Sequence, residues 1–254
     1  MIPKIIHYCW LSENAIPTDL QEYVDGWKKK LPDYEFVLWN FNKFEKNSSL
    51  WVQQAFDNKK YAFACDYIRL FAIYNYGGIY MDMDIEVLKN FDDLLDKNLM
   101  MAYEDYTCKG IEAGCFGAEK NNPLIKKCLD YYEGRSFVKA DGAFDMIPLP
   151  KIMMMQLDEY DKSDFYSCDY FTAKSYETGE LFNNTNTYAI HHFAGSWTSK
   201  AQQKYEARRT KYIKKFGRKK SYIFLLVPFL VWQLEDNGFW GVLKKCIFKL
   251  RKEK

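Results

Sequence analysis

The chain has 254 residues, 48% hydrophobic and 28% charged, which excludes a disordered or low-complexity protein and fits one large folded domain with an appendage. The net charge of +2 hides an asymmetry: residues 204–254 hold 15 Lys and Arg against 4 Asp and Glu, net +11, and the remainder is net −9. Seven cysteines, none in a C-x-x-C pair, exclude a zinc ribbon and a disulfide framework and suit a reducing compartment.

Ile2–Leu11 (IPKIIHYCWL) is an apolar run of strand length. It lacks a basic leader and a long apolar stretch, so no signal peptide is expected. Thr18 is placed to cap a helix, with Gln21 as its capping-box partner. Leu20, Val24, Trp27 and Leu31 share one face of that helix, and Pro32 ends it. Tyr34–Trp39 reads as a second strand and Trp51–Asn58 as a short helix. Tyr61–Tyr76 predicts a longer helix, stopped by Gly77-Gly78.

Ile79–Val87 (IYMDMDIEV) alternates strictly, with Ile79, Met81, Met83 and Ile85 on one face and Tyr80, Asp82, Asp84 and Glu86 on the other. Further strands are expected around 99–103, 113–118, 165–171 and 187–193, with helices over 123–132 and 148–157 between them. Alternating strands and helices predict an α/β fold with a mainly parallel central sheet.

Lys200–Lys220 is a very basic, helix-like stretch. Tyr222–Leu234 (YIFLLVPFLVWQL) is strongly apolar but short for a transmembrane helix and contains Pro228. Lys and Arg frame the apolar residues again over 243–252. The expected organisation is a catalytic domain at 1–200 and a basic, amphipathic helical tail at 201–254 that associates with an anionic membrane surface. A tail docked on the domain would explain the same pattern. No nucleic-acid motif is visible, so no nucleic-acid partner is expected.

The chemistry is concentrated in residues 62–88. Asp66 and Arg69 stand three apart on the predicted helix and can pair. Asp82 and Asp84 share a strand face, and two such carboxylates need cationic compensation. Their oxygens suit Mn²⁺ or Mg²⁺, and in α/β sheets ligands gather beyond the carboxyl ends of strands. A bare D-x-D occurs by chance in many chains, so its surroundings matter. A D-x-D-x-T phosphotransferase is excluded, because Glu86 stands where the Thr is required.

Those surroundings resemble family 32 glycosyltransferases, which include bacterial capsule and lipopolysaccharide transferases and yeast outer-chain mannosyltransferases; more distantly they resemble the large glucosylating toxins. CDYIRLFAIYNYGGIYMDMDIEVL is similar to the family's D-x-D region, IPKIIHYCWLS to its opening strand, and HHFAGSW (His191–Trp197) to its late His-Trp element. The resemblance spans about residues 2–197. It implies a GT-A fold, a UDP- or GDP-sugar donor, a divalent metal, Mn²⁺ or Mg²⁺, and retention of anomeric configuration.

By matching position, Trp10 would stack on the nucleobase, Asp66 and Arg69 would hold the donor sugar and phosphate, and Tyr80 would help place the donor. Asp82 and Asp84 would bind the metal with His192, and Ser196 and Trp197 would close over the leaving phosphate. The family's Asn-rich acceptor loop is absent, and Glu112 is the candidate for contacting the acceptor hydroxyl. The expected function is transfer to a saccharide acceptor, carried on a lipid, in capsule or lipopolysaccharide synthesis. The enzyme would be peripheral on the cytoplasmic face of the cell membrane. A non-enzymatic peripheral membrane protein is the alternative, and it leaves Asp66, Arg69, the D-x-D and the His-Trp block unexplained.

Overall fold

The computed structural model describes residues 1–108, 110–157, 164–195 and 198–252. It divides the chain into two compact units. One comprises residues 1–174 and 181–193, the other residues 175–180 and 194–254.

In the first unit, β1 (Ile5–Cys9) leads through α1 (Thr18–Lys30) to β2 (Glu35–Trp39), which pairs with it in parallel. Leu20, Val24 and Trp27 of α1 are buried as their spacing predicts. Thr18 is the first residue of the helix rather than its cap. Pro17 already has an extended backbone (φ −55°, ψ 144°), and its carbonyl accepts from the Gln21 N–H at 3.0 Å, so no side-chain cap forms. Two helices follow, α2 (Leu50–Asp57), capped by the Ser49 hydroxyl, and α3 (Tyr61–Tyr76).

The chain leaves α3 through Gly77 (φ 69°) and Gly78 (φ 104°), left-handed values that glycine adopts without steric cost. A Cβ on Gly78 would lie 2.6 Å from the Ile5 carbonyl oxygen. This turn feeds β3 (Gly78–Met81), which pairs in parallel with the other side of β1. The order β2-β1-β3 places a topological switch at β1, with a crevice beyond the carboxyl ends of β1 and β3. The sheet continues through β6 (Cys115–Ala118) to β5 (Leu99–Met100), each pairing antiparallel. Four strands thus run one way and β6 runs against them, an α/β sheet that is mainly parallel. Successive residues feed opposite faces: Ile79, Met81 and Cys115 join a core with α1, whereas Tyr80 and Phe116 join one with α2, α3, α4 (Pro123–Asp130) and α5 (Leu149–Met155).

The continuous strand expected over 79–87 is broken. β3 ends at Met81, and β4 (Ile85–Val87) belongs to a separate two-stranded sheet with β7 (Ala189–His191). Between them Asp82 N–H donates to the Gly114 carbonyl at 2.7 Å and Ile85 N–H to the Asp82 carbonyl at 3.1 Å. The alternation survives the break because Met81, Met83 and Ile85 all enter the same core. The strand expected at 165–171 is a series of turns, with a single bridge from Tyr166 to Ala102.

In the second unit the C-terminal segment is helical: α6 (Lys200–Phe216), capped by Ser199, and α7 (Arg218–Lys252), interrupted by non-helical Gly238. Tyr205 stacks on Trp232, and Phe216 on Phe224. Glu177 and Glu180 of the short inserted segment reach Arg209 and Lys214.

Candidate active site

The crevice at the carboxyl end of β3 is built around Arg69, buried on α3. Its guanidinium lies 3.3 Å from Asp66 one turn earlier, 3.3 Å from Asp82, and donates at 2.6 Å to the Ala113 carbonyl. It also sits 4.4 Å above the Tyr80 ring, whose hydroxyl donates to Asp82 at 2.8 Å. One cation between two carboxylates and a π face offsets the cost of burying it. The carboxylates stay crowded. Burial, with Asp82 nearby, pushes Asp66 up to about 6 against Arg69 and the Leu149 N–H. Burial and Asp84 raise Asp82, opposed by Arg69, His191 and Tyr80. Arg69 Nε is buried with no hydrogen-bond partner among the described residues.

Beside this clamp, donor atoms of Asp82, Asp84 and His191 all lie within 4.8 Å of one another. His191 Nε2 is 3.5 Å from Asp84. The far ring nitrogen, Nδ1, donates to Glu112 at 3.1 Å. Glu112 is buried and also accepts from the Gly114 N–H at 2.6 Å and the Thr172 hydroxyl at 2.9 Å. Burial alone would raise Glu112, but His191 and these donors bring it below its ordinary value. Burial alone would lower His191, but Glu112 and Asp84 hold it well above its own.

Two carboxylates and an imidazole form a donor set suited to Mn²⁺ or Mg²⁺. A carboxylate on the far nitrogen of a ligating histidine fixes its tautomer and raises its basicity. Asp82 and Asp84 bring two carboxylates to one place, where added positive charge is favourable. The residues present therefore fit a divalent ion.

The structure brings Asp66, Arg69, Tyr80, Asp82 and Asp84 together. It places His191, not His192, with the two aspartates. Neighbours on a strand point oppositely, and His192 turns away: its Nε2 donates to Glu86 at 2.8 Å and its ring stacks on Tyr23 at 5.1 Å. Glu112 is not at an acceptor surface but behind His191, fully engaged. Trp10 lies just beyond β1, half-buried, its Nε1 donating to the Asn14 carbonyl at 2.8 Å. Ser196 and Trp197 lie outside the described residues. Sequence reasoning missed the supporting pair of Thr172 and Gly114. Gly114 had a readable signal in the Glu-Ala-Gly run, where a glycine follows a buried acid: a Cβ there would lie 2.7 Å from the His191 ring.

Residues 17–101 match the family described as a glycosyltransferase sugar-binding region containing a DXD motif. The inositol phosphoceramide mannosyltransferase 1 of Schizosaccharomyces pombe is 36% identical over 153 residues, covering 56% of this chain and 47% of that protein. The mannosyl phosphorylinositol ceramide synthase SUR1 of Saccharomyces cerevisiae is 36% identical over 140 residues, covering 51% of this chain and 34% of its own. The chain thus spans less than half the length of these fungal relatives. Among solved structures, the PaToxG glycosyltransferase aligns with a TM-score of 0.48 at 22% identity, over 61% of this chain and 69% of its own. The family match and the relatives bear out the resemblance to family 32 glycosyltransferases.

Proposed function

We propose that this protein is a metal-dependent, retaining glycosyltransferase of GT-A architecture that moves a sugar from a UDP- or GDP-sugar to a saccharide acceptor. The observation that carries the reading is the convergence of Asp82, Asp84 and His191 beside the Asp66–Arg69–Tyr80 clamp, at the switch point of the sheet. Asp82, Asp84 and His191 would hold Mn²⁺ or Mg²⁺, which supplies Lewis-acid neutralisation of a departing nucleoside diphosphate. Arg69 is a permanently charged planar fork whose position is fixed from three sides, so it can orient donor oxygens without reorganising. Asp66 and Asp82 place negative charge where a sugar acquires oxocarbenium character. Retention rests on the family resemblance.

The fungal relatives are named for inositol phosphoceramide, a lipid, which supports an acceptor saccharide carried on a lipid. Such acceptors also serve capsule and lipopolysaccharide assembly, the pathway this reading favours. The test is release of free sugar from a panel of UDP- and GDP-sugars, with Mn²⁺ and with chelator. Metal-dependent hydrolysis of at least one donor is expected, falling at least a hundredfold in Asp84→Asn, whose neutral amide is a weaker ligand. Hydrolysis unaffected by chelator, or near-native turnover in Asp84→Asn, would sink the metal role. Failure of every donor would favour a non-enzymatic protein.

A further inference from the structure

The first half of α7 exposes an unusual set of side chains. Tyr222, Ile223, Phe224, Leu226, Val227, Leu230, Val231 and Leu234 are each more than two-fifths exposed, Ile223 reaching 79%, whereas Ser221 and Leu225 are buried. At 100° per residue the exposed positions sweep about 200° of the helix circumference. A partner helix or a protein groove covers a stripe roughly 100° wide. The arc is too broad for one such partner and suits a medium that closes around the helix.

Charge says which medium. On α6, Lys204, Arg208, Lys211 and Lys215 are exposed and spaced four, three and four residues apart, so they form one basic stripe. Three acids of this unit pair elsewhere, Glu177 with Arg209 and Arg218, Glu180 with Lys214 and Glu206 with Arg209; Asp236 accepts from Ser199 and Trp232, and Glu235 is exposed just past the apolar segment. Lys204, Arg208 and Lys211 have no carboxylate partner among the described residues. Lys219 and Lys220, both exposed, continue the positive charge to the start of the apolar arc. An apolar helix beside an uncompensated basic row is complementary to an anionic headgroup layer over hydrocarbon.

Crossing is a separate matter. Tyr222–Leu234 rises only about 20 Å against a hydrocarbon core of about 30 Å. Among the described residues no helix is long and apolar enough to cross a membrane.

We infer that the C-terminal unit docks flat on an anionic lipid bilayer, with the Tyr222–Leu234 segment of α7 entering the headgroup boundary and the α6 stripe on the phosphates. This goes beyond the proposed transferase reaction and does not depend on it. The experiment is sedimentation of the full chain with vesicles of phosphatidylcholine alone and of phosphatidylcholine mixed with phosphatidylglycerol. Pelleting is expected with the mixed vesicles only, and it should weaken as salt is raised. Ile223→Glu with Val227→Glu, both at exposed positions, should lower the partition coefficient at least tenfold while melting temperature and donor hydrolysis stay unchanged. Lys204→Gln, Arg208→Gln and Lys211→Gln together should lower it roughly a hundredfold, about fivefold per basic residue. Equal binding to neutral vesicles overturns the electrostatic half of the inference. Absence of pelleting overturns all of it, and a concentration-dependent dimer broken by Ile223→Glu would then assign the face to a second copy. Loss of donor hydrolysis in the unmutated protein with intact pelleting would count against the transferase reading alone.

Discussion

At the scale of single residues, the candidate metal cluster is held in place by side chains behind it. Glu112 holds His191 through Nδ1 and is itself held by Gly114 and Thr172. Glu112→Gln keeps the shape but removes the charge that fixes the histidine's tautomer. It should weaken Mn²⁺ affinity by about ten- to a hundredfold. Titration calorimetry with Mn²⁺ checks this, and native affinity would make Glu112 merely a core residue.

His7 shows the opposite use of a buried histidine. It accepts from Trp39 Nε1 at 3.0 Å and lies 2.8 Å from the Gly77 carbonyl, so its neutral tautomer is fixed, with Nε2 donating. Burial lowers its pKa to about 4, despite the Gly77 carbonyl. Because the folded value lies below the unfolded one, His7's contribution is complete above pH 6.5. It is lost as pH falls from there toward 4, by about 3 kcal/mol in all. Denaturant unfolding of the protein and of His7→Gln across that range isolates this part. Parallel pH slopes for the two proteins would rule it out.

At the scale of elements, the D-x-D works because it is a junction rather than a strand. The chain passes from one sheet to the other at Asp82–Asp84, and β6 begins immediately after Gly114, whose carbonyl accepts the Asp82 N–H. Three polar side chains crowd the place where a Gly114 Cβ would go, at 2.7 Å from His191, 2.8 Å from Glu112 and 2.9 Å from Asp82. Gly114→Ala should therefore cut metal affinity at least tenfold while shifting the melting temperature by only a few degrees. Normal Mn²⁺ binding in this variant would show that the junction has more room than its geometry indicates.

The same junction shows what the sequence could reveal. α3 and its Gly-Gly stop were legible because helix period and glycine conformation are local properties. The alternation of Ile79–Val87 reported faces correctly, yet it could not report that β3 and β4 belong to different sheets, since both face one core. Whether His191 or His192 faces the aspartates depends on the register Ile85↔His191, set by pairing across more than a hundred residues. Glu112 looked like an exposed acceptor contact because nothing local announces Thr172 or His191 as its partners. The turns at 165–171 defeated the strand expectation because aromatic content imitates strand propensity, whereas here Tyr166 and Tyr170 stack on each other at 4.6 Å.

At the scale of the molecule, every residue of the candidate metal cluster and clamp lies within residues 1–174 and 181–193, and the segment proposed for lipid lies within the other unit. A metal held by Asp82, Asp84 and His191 therefore delivers its binding free energy to the sheet-containing unit. A ligand that binds only the native state at a hundred times its Kd adds about 2.7 kcal/mol. For a unit of this size that raises the melting temperature by roughly 5 to 10 °C. Scanning calorimetry with Mn²⁺ and a nucleoside diphosphate should move the transition of the sheet-containing unit by that amount and leave the helical unit's transition in place. Anionic vesicles should do the reverse. Chelation by EDTA should return the first transition to its starting temperature, since the diphosphate alone faces the unshielded Asp82 and Asp84. Both transitions shifting together with either ligand would mean that the two units unfold as one cooperative body, and the separation of chemistry from docking would fail with it.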